Sequence, residues 1–234
     1  MSLAELLQQD ALTVAPQLLG AKLTSSFGGA GPVTVRLTEV EAYLGTSDPG
    51  SHAYNGPTPR TEIMFAEPGF IYVYFTDGIH SCANIICSPA GTASGVLLRA
   101  GEILDGVELA RYRRLATKND RDLASGPARL AQALGLDRKA NGAKLFAADS
   151  MRLPAEALSL ELAPLQSREE IASGLRIGVS GLGGGAAYPW RYWIDGNKTV
   201  SRYKAAVPGK IQDTAERCLI ALIRYQPDGL VEPD

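Results

Sequence analysis

The stretch VTVRLTEVE at residues 33–41 carries a clear β-pattern, because valine and leucine alternate with polar residues from position 33 to position 37. Such alternation predicts a half-buried strand, which places Glu41 near its end. Glu39 and Glu41 lie two positions apart and are expected to share a face of this strand. Two carboxylates on one face could form a general acid/base pair, although one member of such a pair is more often simply solvated.

Beyond this strand, helix and strand signals are mixed without strict alternation, which favours an α+β fold class. Ser2 and Glu5 have the spacing of a capping box and predict a helix at the amino terminus. Helices are also predicted at residues 11–19, 105–115 and 125–134, and strands at 70–75, 95–99, 175–179 and 191–194. Asp105 and Ser125 are the expected N-caps of two of these helices.

Two segments are predicted to be irregular. Residues 45–69 are rich in Gly, Pro, Ser and Asn, which indicates a long loop that carries His52; loops of this length are usually functional. The glycine run at 181–185 predicts a flexible hairpin between the strands at 175–179 and 191–194. It lacks the GxGxxG spacing of a nucleotide-binding loop, so we do not expect it to bind phosphate.

The chain has 234 residues, 45% of them hydrophobic, which is enough to bury a core in one large domain or two small ones. Glu5 and Asp10 interrupt the apolar segment nearest the amino terminus. No apolar run approaches the roughly 18 residues needed to span a bilayer. We therefore expect no membrane association and an intracellular protein that is not secreted, cytoplasmic in a bacterium or nuclear in a eukaryote.

The charge balance does not favour nucleic acid binding, since the formal net charge is -2 and duplex-binding domains are usually basic. Five basic residues nevertheless cluster within a short stretch: Arg111, Arg113, Arg114, Lys118 and Arg121. Such a run can contact phosphates or form a solvated helix face, and the sequence leaves both interpretations open.

The cysteines and histidines do not indicate a metal site. Three cysteines are an odd number at spacings that fit neither a disulfide framework nor a paired-cysteine site, so reduced and mostly buried thiols are expected. His52, His80, Cys82 and Cys87 are poorly spaced for structural zinc. No Ser-His-Asp order or nucleophile elbow is present, which sets acyl transfer aside.

A group of chemically active residues lies between positions 39 and 99. It combines ionisable bases, aromatic platforms, an amide and a fixed cation: Glu39, Glu41, Tyr43, His52, Tyr72, Tyr74, Asn84 and Arg99. Tyr72 and Tyr74 are expected to share a strand face, where they could pack in the core or form a platform for a ligand.

Several short motifs accompany this group in a defined order: TEVEAYLG at residues 38–45, TPR at 58–60, MF at 64–65, YVY at 72–74, CAN at 82–84, VLLRA at 96–100 and SGP at 125–127. In this order they resemble the alkyladenine (3-methyladenine) DNA glycosylase family. The resemblance extends from roughly residue 18 to residue 201.

The resemblance implies a single mixed domain at residues 1–204, with a curved antiparallel sheet and surrounding helices. Residues 205–234 would form a C-terminal extension, a helix starting near Asp213 followed by a frayed tail. The implied activity is that of a monofunctional DNA-3-methyladenine glycosylase of base excision repair, which flips damaged purines out of DNA. No metal or cofactor is implied, and we expect a monomer.

The resemblance also assigns catalytic roles. Glu41 matches the family's general base, which deprotonates the water that attacks C1′ of the sugar. Arg99 matches the residue that helps to hold this water and keeps the carboxylate ionised. The main-chain carbonyl of Ile177 falls where the family supplies a third contact to the water.

Further residues match the family's base-binding pocket. Tyr43 and Tyr74 correspond to the aromatic residues between which the flipped purine stacks, and His52 corresponds to their neighbour in the pocket wall. Asn84 matches the residue that excludes undamaged guanine. No lysine matches a Schiff-base nucleophile, so strand cleavage is not expected.

Asp77 departs from the family pattern. It occupies the position of a tyrosine that wedges into the DNA gap left by the flipped base, and an aspartate cannot stack there. A substitute wedge such as Ile79 or His80, a preference for single strands, or a catalytically weak damage-binding module would each follow. A sugar glycosidase using Glu39 and Glu41, whose carboxylates would lie roughly 5–9 Å apart, is a further alternative.

Overall fold

The computed structural model describes residues 1–76, 80–148 and 153–206. The helices of this part are α1 (Leu3–Leu7), α2 (Ala11–Gln17), α3 (Val107–Arg113) and α4 (Pro127–Leu134). The strands are β1 (Lys22–Ser25), β2 (Val33–Tyr43), β3 (Ile71–Thr76), β4 (His80–Ile86), β5 (Gly95–Asp105), β6 (Leu145–Ala147), β7 (Leu158–Glu161), β8 (Ile171–Gly174) and β9 (Arg191–Ile194). The predicted helix near Asp213 and the tail after it fall outside the described residues.

The nine strands of the described residues belong to one sheet, and seven of them follow the order β3-β4-β5-β2-β1-β7-β6. β1 pairs with the first half of β2, and β9 pairs with residues 39–41 of β2 and also with β8. The described pairings are antiparallel except for β6 with β7, which is parallel. The predicted α+β class with a single curved sheet is confirmed, and the sheet is mixed at one edge.

β2 contains a bulge that changes which face its side chains occupy. Val33, Val35 and Leu37 lie in the main hydrophobic core, but beyond the bulge the core residues are Val40 and Ala42. The pairing with β5 shifts register on both sides of Glu39. An extra residue in one strand reverses the alternation of faces that follows it. As a result, Glu39 and Glu41 point away from the core that the first half of the strand faces.

Local hydrogen bonds explain the helix ends. Ser2 and Glu5 form the predicted capping box, and Asp10 caps α2 by accepting a hydrogen bond from the Thr13 N–H. Two predicted caps are wrong, because α3 begins after Gly106 and α4 begins after Gly126, neither with a side-chain cap. Pro127 instead starts α4 with a backbone angle already suited to a helix.

The strand predicted at residues 175–179 is also wrong. The strand that pairs with β9 is β8, which ends at Gly174, and residues 175–180 are irregular. The glycine run is not a simple hairpin turn, because Leu182–Gly184 forms a short 3-10 helix packed against residues 49–50. The long loop between β2 and β3 is present as predicted, with 3-10 turns at Gly45–Ser47 and Glu62–Phe65.

The main core lies between the helices and one face of β2, β3, β4 and β5. The opposite face of these strands carries polar and aromatic side chains and faces the loops at residues 44–52 and 175–185. No helix among the described residues is long and apolar enough to cross a membrane.

Candidate active site

A cavity of about 510 Å³ opens on the face of the sheet that is turned away from the main core. β3, β4 and β5 contribute one side of it, and the loops around residues 49–52 and 177–180 contribute the other. Its lining includes six of the seven residues assigned to the catalytic group and the base pocket, namely Tyr43, His52, Tyr74, Asn84, Arg99 and Ile177. Residues from six separate segments are thus brought to one place.

The seventh of these residues, Glu41, is fully buried and receives hydrogen bonds from residues that line the cavity. Its Oε1 accepts a hydrogen bond of 2.7 Å from the Ile177 N–H and lies 3.1 Å from Arg99 Nη1. Its Oε2 accepts a hydrogen bond of 2.8 Å from the Tyr43 hydroxyl. The contact seen from Ile177 is made by its N–H, so the predicted role of its carbonyl stays a prediction.

Glu39 is a second buried carboxylate beside the first, and neither carboxylate is exposed. Its Oε1 accepts hydrogen bonds from Arg99 Nε at 2.9 Å and Arg191 Nε at 2.7 Å. Its Oε2 accepts a hydrogen bond of 2.7 Å from the Ser201 N–H. The expectation that one of the two glutamates is solvated is therefore wrong, because two arginines compensate the burial of both.

The electrostatics follow from this pairing. Burial alone raises the pKa of Glu39, but Arg99 and Arg191 outweigh it and hold that pKa below its ordinary value. Burial likewise opposes the charge on Arg99, yet Glu41 and Glu39 raise the pKa of its guanidinium. Arg99 thus remains a cation that contacts both carboxylates.

Aromatic side chains form a wall of the cavity. His52 packs edge-on against Tyr74 with ring centroids 4.5 Å apart, and Tyr72 and Tyr74 are stacked at 5.7 Å. His52 Nδ1 lies 3.2 Å from the Tyr72 hydroxyl. Desolvation and the nearby Arg60 lower the pKa of His52, so its ring is neutral near pH 7. Neutral aromatic surfaces of this kind are suited to stacking with a flat base.

Asn84 is held in one orientation at the base of the same wall. Its side-chain Nδ2 donates a hydrogen bond of 3.2 Å to the main-chain carbonyl of Tyr72, the residue paired with it in the sheet. The residue is only 5% exposed. An amide fixed in this way can accept or reject a base by the groups on the edge of that base.

Arg176, a buried arginine that packs against Tyr43, was not among the predicted site residues. Its guanidinium lies 4.5 Å from the centre of the Tyr43 ring and pairs with Asp48 through two hydrogen bonds of 2.6 and 2.7 Å. It also donates hydrogen bonds to the carbonyls of Ala42 and Gly183. No local motif marks Arg176, because its partners lie up to 134 positions away.

Comparison with known proteins identifies the family. A family model described as "Methylpurine-DNA glycosylase (MPG)" matches residues 5–198. The chain belongs to this family. The resemblance inferred from the motifs is thereby confirmed.

Several curated relatives of this chain carry the name "Putative 3-methyladenine DNA glycosylase". One from Streptomyces avermitilis is 50% identical over 204 residues, covering 87% of this chain and 92% of the relative. Another from Leifsonia xyli is 51% identical over 200 residues, covering 83% of this chain and 89% of the relative. A third from Corynebacterium jeikeium is 46% identical, with coverages of 82% and 88%.

Asp77 is the position predicted to enter the DNA stack. It lies outside the described residues, as does Ile79. The flanking residues Thr76 and His80 face each other where β3 and β4 meet. Thr76 lines the cavity, and His80 is exposed. Thr76, the last described residue before Asp77, therefore lies in the cavity lining.

The remaining predictions concern thiols, metal and charge. Cys82 and Cys87 are buried and form no disulfide, whereas Cys218 lies outside the described residues. The described residues contain no group of His, Cys, Asp and Glu that could hold a metal ion. The basic run is partly structural, because Arg113 and Arg114 donate hydrogen bonds to main-chain carbonyls. For the run as a whole, phosphate contact and a solvated helix face both stay predictions.

Proposed function

We propose that this chain is a monofunctional DNA glycosylase that removes damaged purines from DNA in base excision repair. The observation that carries the proposal is the buried Glu41, which accepts hydrogen bonds from Ile177 and Tyr43 and forms an ion pair with Arg99, all three in the lining of an aromatic cavity. Family membership and the names of the relatives support the substrate class.

In the proposed reaction, Glu41 acts as general base towards a water molecule held at the floor of the cavity. The water oxygen bonds to C1′ of the sugar while the C1′–N bond breaks, and the bonding electron pair leaves with the base. Arg99 pairs with the carboxylate and helps to hold it in place. Because Glu41 has no exposed surface, the water has to enter between the residues that cover it.

The cavity walls would bind the flipped purine. Tyr43 and Tyr74 supply stacking surfaces, with the neutral His52 beside Tyr74. A base inside a duplex cannot reach such a cavity, and flipping costs least for a damaged or mispaired base. Because Asn84 is held in one orientation, it can distinguish bases by the hydrogen-bonding groups on their edges. This supports its proposed role in rejecting undamaged guanine.

Two further expectations belong to this proposal. No lysine lines the described cavity, which supports hydrolysis by water rather than Schiff-base chemistry and strand cleavage. We expect the chain to act as a monomer in the compartment that holds the DNA. Sedimentation at micromolar concentration would check the monomer.

The proposal is tested by measuring base release from a panel of oligonucleotides, single- and double-stranded, that carry methylated, deaminated or etheno-modified purines. Glu41→Gln is the matched variant, because it keeps the shape of the side chain and removes its basicity. We expect the variant to bind lesion DNA as the wild type does and to release base about 100-fold more slowly or worse.

Each pattern of results has a distinct meaning. Lesion binding without base release by the wild type would favour a damage-binding module. Base release from single-stranded DNA alone would indicate that no residue wedges into the duplex at the position of Asp77. Near-normal release by Glu41→Gln would remove Glu41 from the role of general base.

A further inference from the structure

Tyr43 makes two different contacts with charged groups, one through its ring and one through its hydroxyl. Arg176 covers part of the ring, with the guanidinium carbon 4.5 Å from the ring centre. The hydroxyl donates a hydrogen bond of 2.8 Å to Glu41 Oε2. Because Tyr43 also lines the cavity, one residue joins the surface that would bind the base to the carboxylate that would activate water.

The two oxygens of Glu41 are not equivalent. Oε1 accepts a hydrogen bond from the Ile177 N–H and also pairs with Arg99 Nη1 at 3.1 Å. Among the described residues, Oε2 accepts from the Tyr43 hydroxyl alone. Oε2 therefore has fewer donors around it than Oε1 and more acceptor capacity left for a water molecule.

We propose that the Tyr43 hydroxyl is a positioning group, which orients Glu41 so that Oε2 is the oxygen that takes the proton of the attacking water. The inference rests on the proposed role of Glu41 as general base. It adds a second task to Tyr43, beyond the stacking that its ring provides.

The proton and electron balance of this step is simple. One water proton moves to the open side of Oε2, the water oxygen bonds to C1′, and the C1′–N electron pair leaves with the base. Glu41 becomes a neutral acid that later releases its proton to solvent, and Tyr43 keeps its own proton throughout. Burial and the neighbouring Glu41 raise the pKa of the Tyr43 hydroxyl, so this group stays a donor across the working range.

The test is the pH dependence of base release by Tyr43→Phe, which keeps the ring and removes the oxygen. A hydrogen bond from a hydroxyl is stronger to an ionised carboxylate than to a neutral acid. Its loss should move the acidic limb of the pH–rate profile upward by about one unit. The substrate should be DNA methylated on purine ring nitrogens, because such bases already carry a positive charge and need no proton in order to leave.

Tyr192→Phe is the matched control. It removes a hydroxyl from β9, where Tyr192 pairs with Val40 of β2, but Tyr192 does not line the cavity. We expect its acidic limb to coincide with that of the wild type. For Tyr43→Phe we expect lesion binding within about twofold of the wild type, because the stacking surface, which supplies most of the contact with a base, is retained.

An unchanged acidic limb in Tyr43→Phe would overturn the inference and leave Tyr43 as a stacking residue only. If the wild type releases no base at all, the proposed function fails, and the contact can be tested separately by urea unfolding. Tyr43→Phe, Glu41→Gln and the double variant form a thermodynamic cycle. Additive effects on the unfolding free energy would then overturn the coupling, and non-additive effects would support it.

Discussion

At the scale of single residues, Glu39 allows a cation to lie between two buried carboxylates. Without it, Arg99 would face Glu41 alone, and Arg191 would lose its carboxylate partner. A buried charge costs several kcal/mol unless it is paired and hydrogen-bonded. The arginines and Ser201 provide that compensation, so Glu39 belongs to the support of the site rather than to a solvated surface.

We predict that Glu39→Gln destabilises the protein by about 3–5 kcal/mol, the cost of breaking a buried ion pair. Glu161→Gln is the control, since Glu161 pairs with Lys22 at the surface and both side chains are more than 40% exposed. Its effect should be at most about 1 kcal/mol. Urea unfolding of the two variants measures both values, and equal effects would contradict the buried network.

The stabilising effect of Glu39 should also depend on pH. Although burial raises the pKa of Glu39, Arg99 and Arg191 bring it below the ordinary value of 4.5. A lowered pKa gives stability that is fully present above 4.5 and is lost as the pH falls through the lowered value. The difference in unfolding free energy between wild type and Glu39→Gln should therefore be constant near neutrality and shrink on acidification. If this free-energy difference stayed constant down to the lowest pH at which the wild type folds, the result would contradict the prediction.

At the scale of elements, the short 3-10 helix at Leu182–Gly184 controls how closely the loop after β8 approaches residues 49–50. A Cβ at Gly183 would lie 2.3 Å from the Gly50 nitrogen, a main-chain atom that cannot swing aside. The Gly183 carbonyl also accepts from Arg176, which is next to Ile177 in sequence. A shift of this loop would therefore reach the residue that donates to Glu41.

We predict that Gly183→Ala lowers the melting temperature and slows base release, because the loop has to move away from Gly50. Gly185→Ala is the control within the same glycine run. Its Cβ would meet only the Leu182 carbonyl, at 3.1 Å, and its φ of -81° suits alanine. Thermal unfolding and single-turnover base release should separate the two variants, and similar behaviour would contradict the close packing.

At the scale of the whole molecule, Arg176 connects three segments that are far apart in the chain. It holds Asp48 in the loop after β2, the Ala42 carbonyl at the end of β2, and the Gly183 carbonyl. Its side chain is fully buried, and among the described buried side-chain atoms only its Nε has no partner. The hydrogen bonds of Arg176 thus connect the loops that complete the cavity to the end of β2.

We predict that Asp48→Asn costs about 3–5 kcal/mol of unfolding free energy, since it leaves the Arg176 cation buried without its anion. Glu108→Gln breaks the pair of Glu108 with Arg111 at the surface and should cost at most about 1 kcal/mol. Chemical denaturation of both variants makes the comparison. A small effect of Asp48→Asn on the unfolding free energy would mean that the pairing of Asp48 with Arg176 does not stabilise these loops.

A second prediction at this scale concerns the extent of the domain. Ser201 donates to Glu39 from its main chain and its hydroxyl, and the family match ends at residue 198. A chain ending at residue 206 retains these contacts, so we expect it to fold and to release base at close to the full-length rate. Loss of activity on this truncation, compared with the full chain, would show that residues 207–234 contribute to the reaction.

The sequence by itself determined the α+β class, the capping of the first helix and the residues that line the cavity. Capping depends on groups within three or four positions, and the ordered motifs carry the family resemblance. The tertiary structure alone decided the burial of Glu39, the role of Arg176 and the face on which Glu41 lies. Strict alternation from Val33 would have placed Glu41 in the apolar core, and the bulge at Glu39 reverses that outcome. The reason is physical: a bulge and a buried charge are stabilised by partners as distant as Ser201, 162 positions from Glu39, and no local pattern records them.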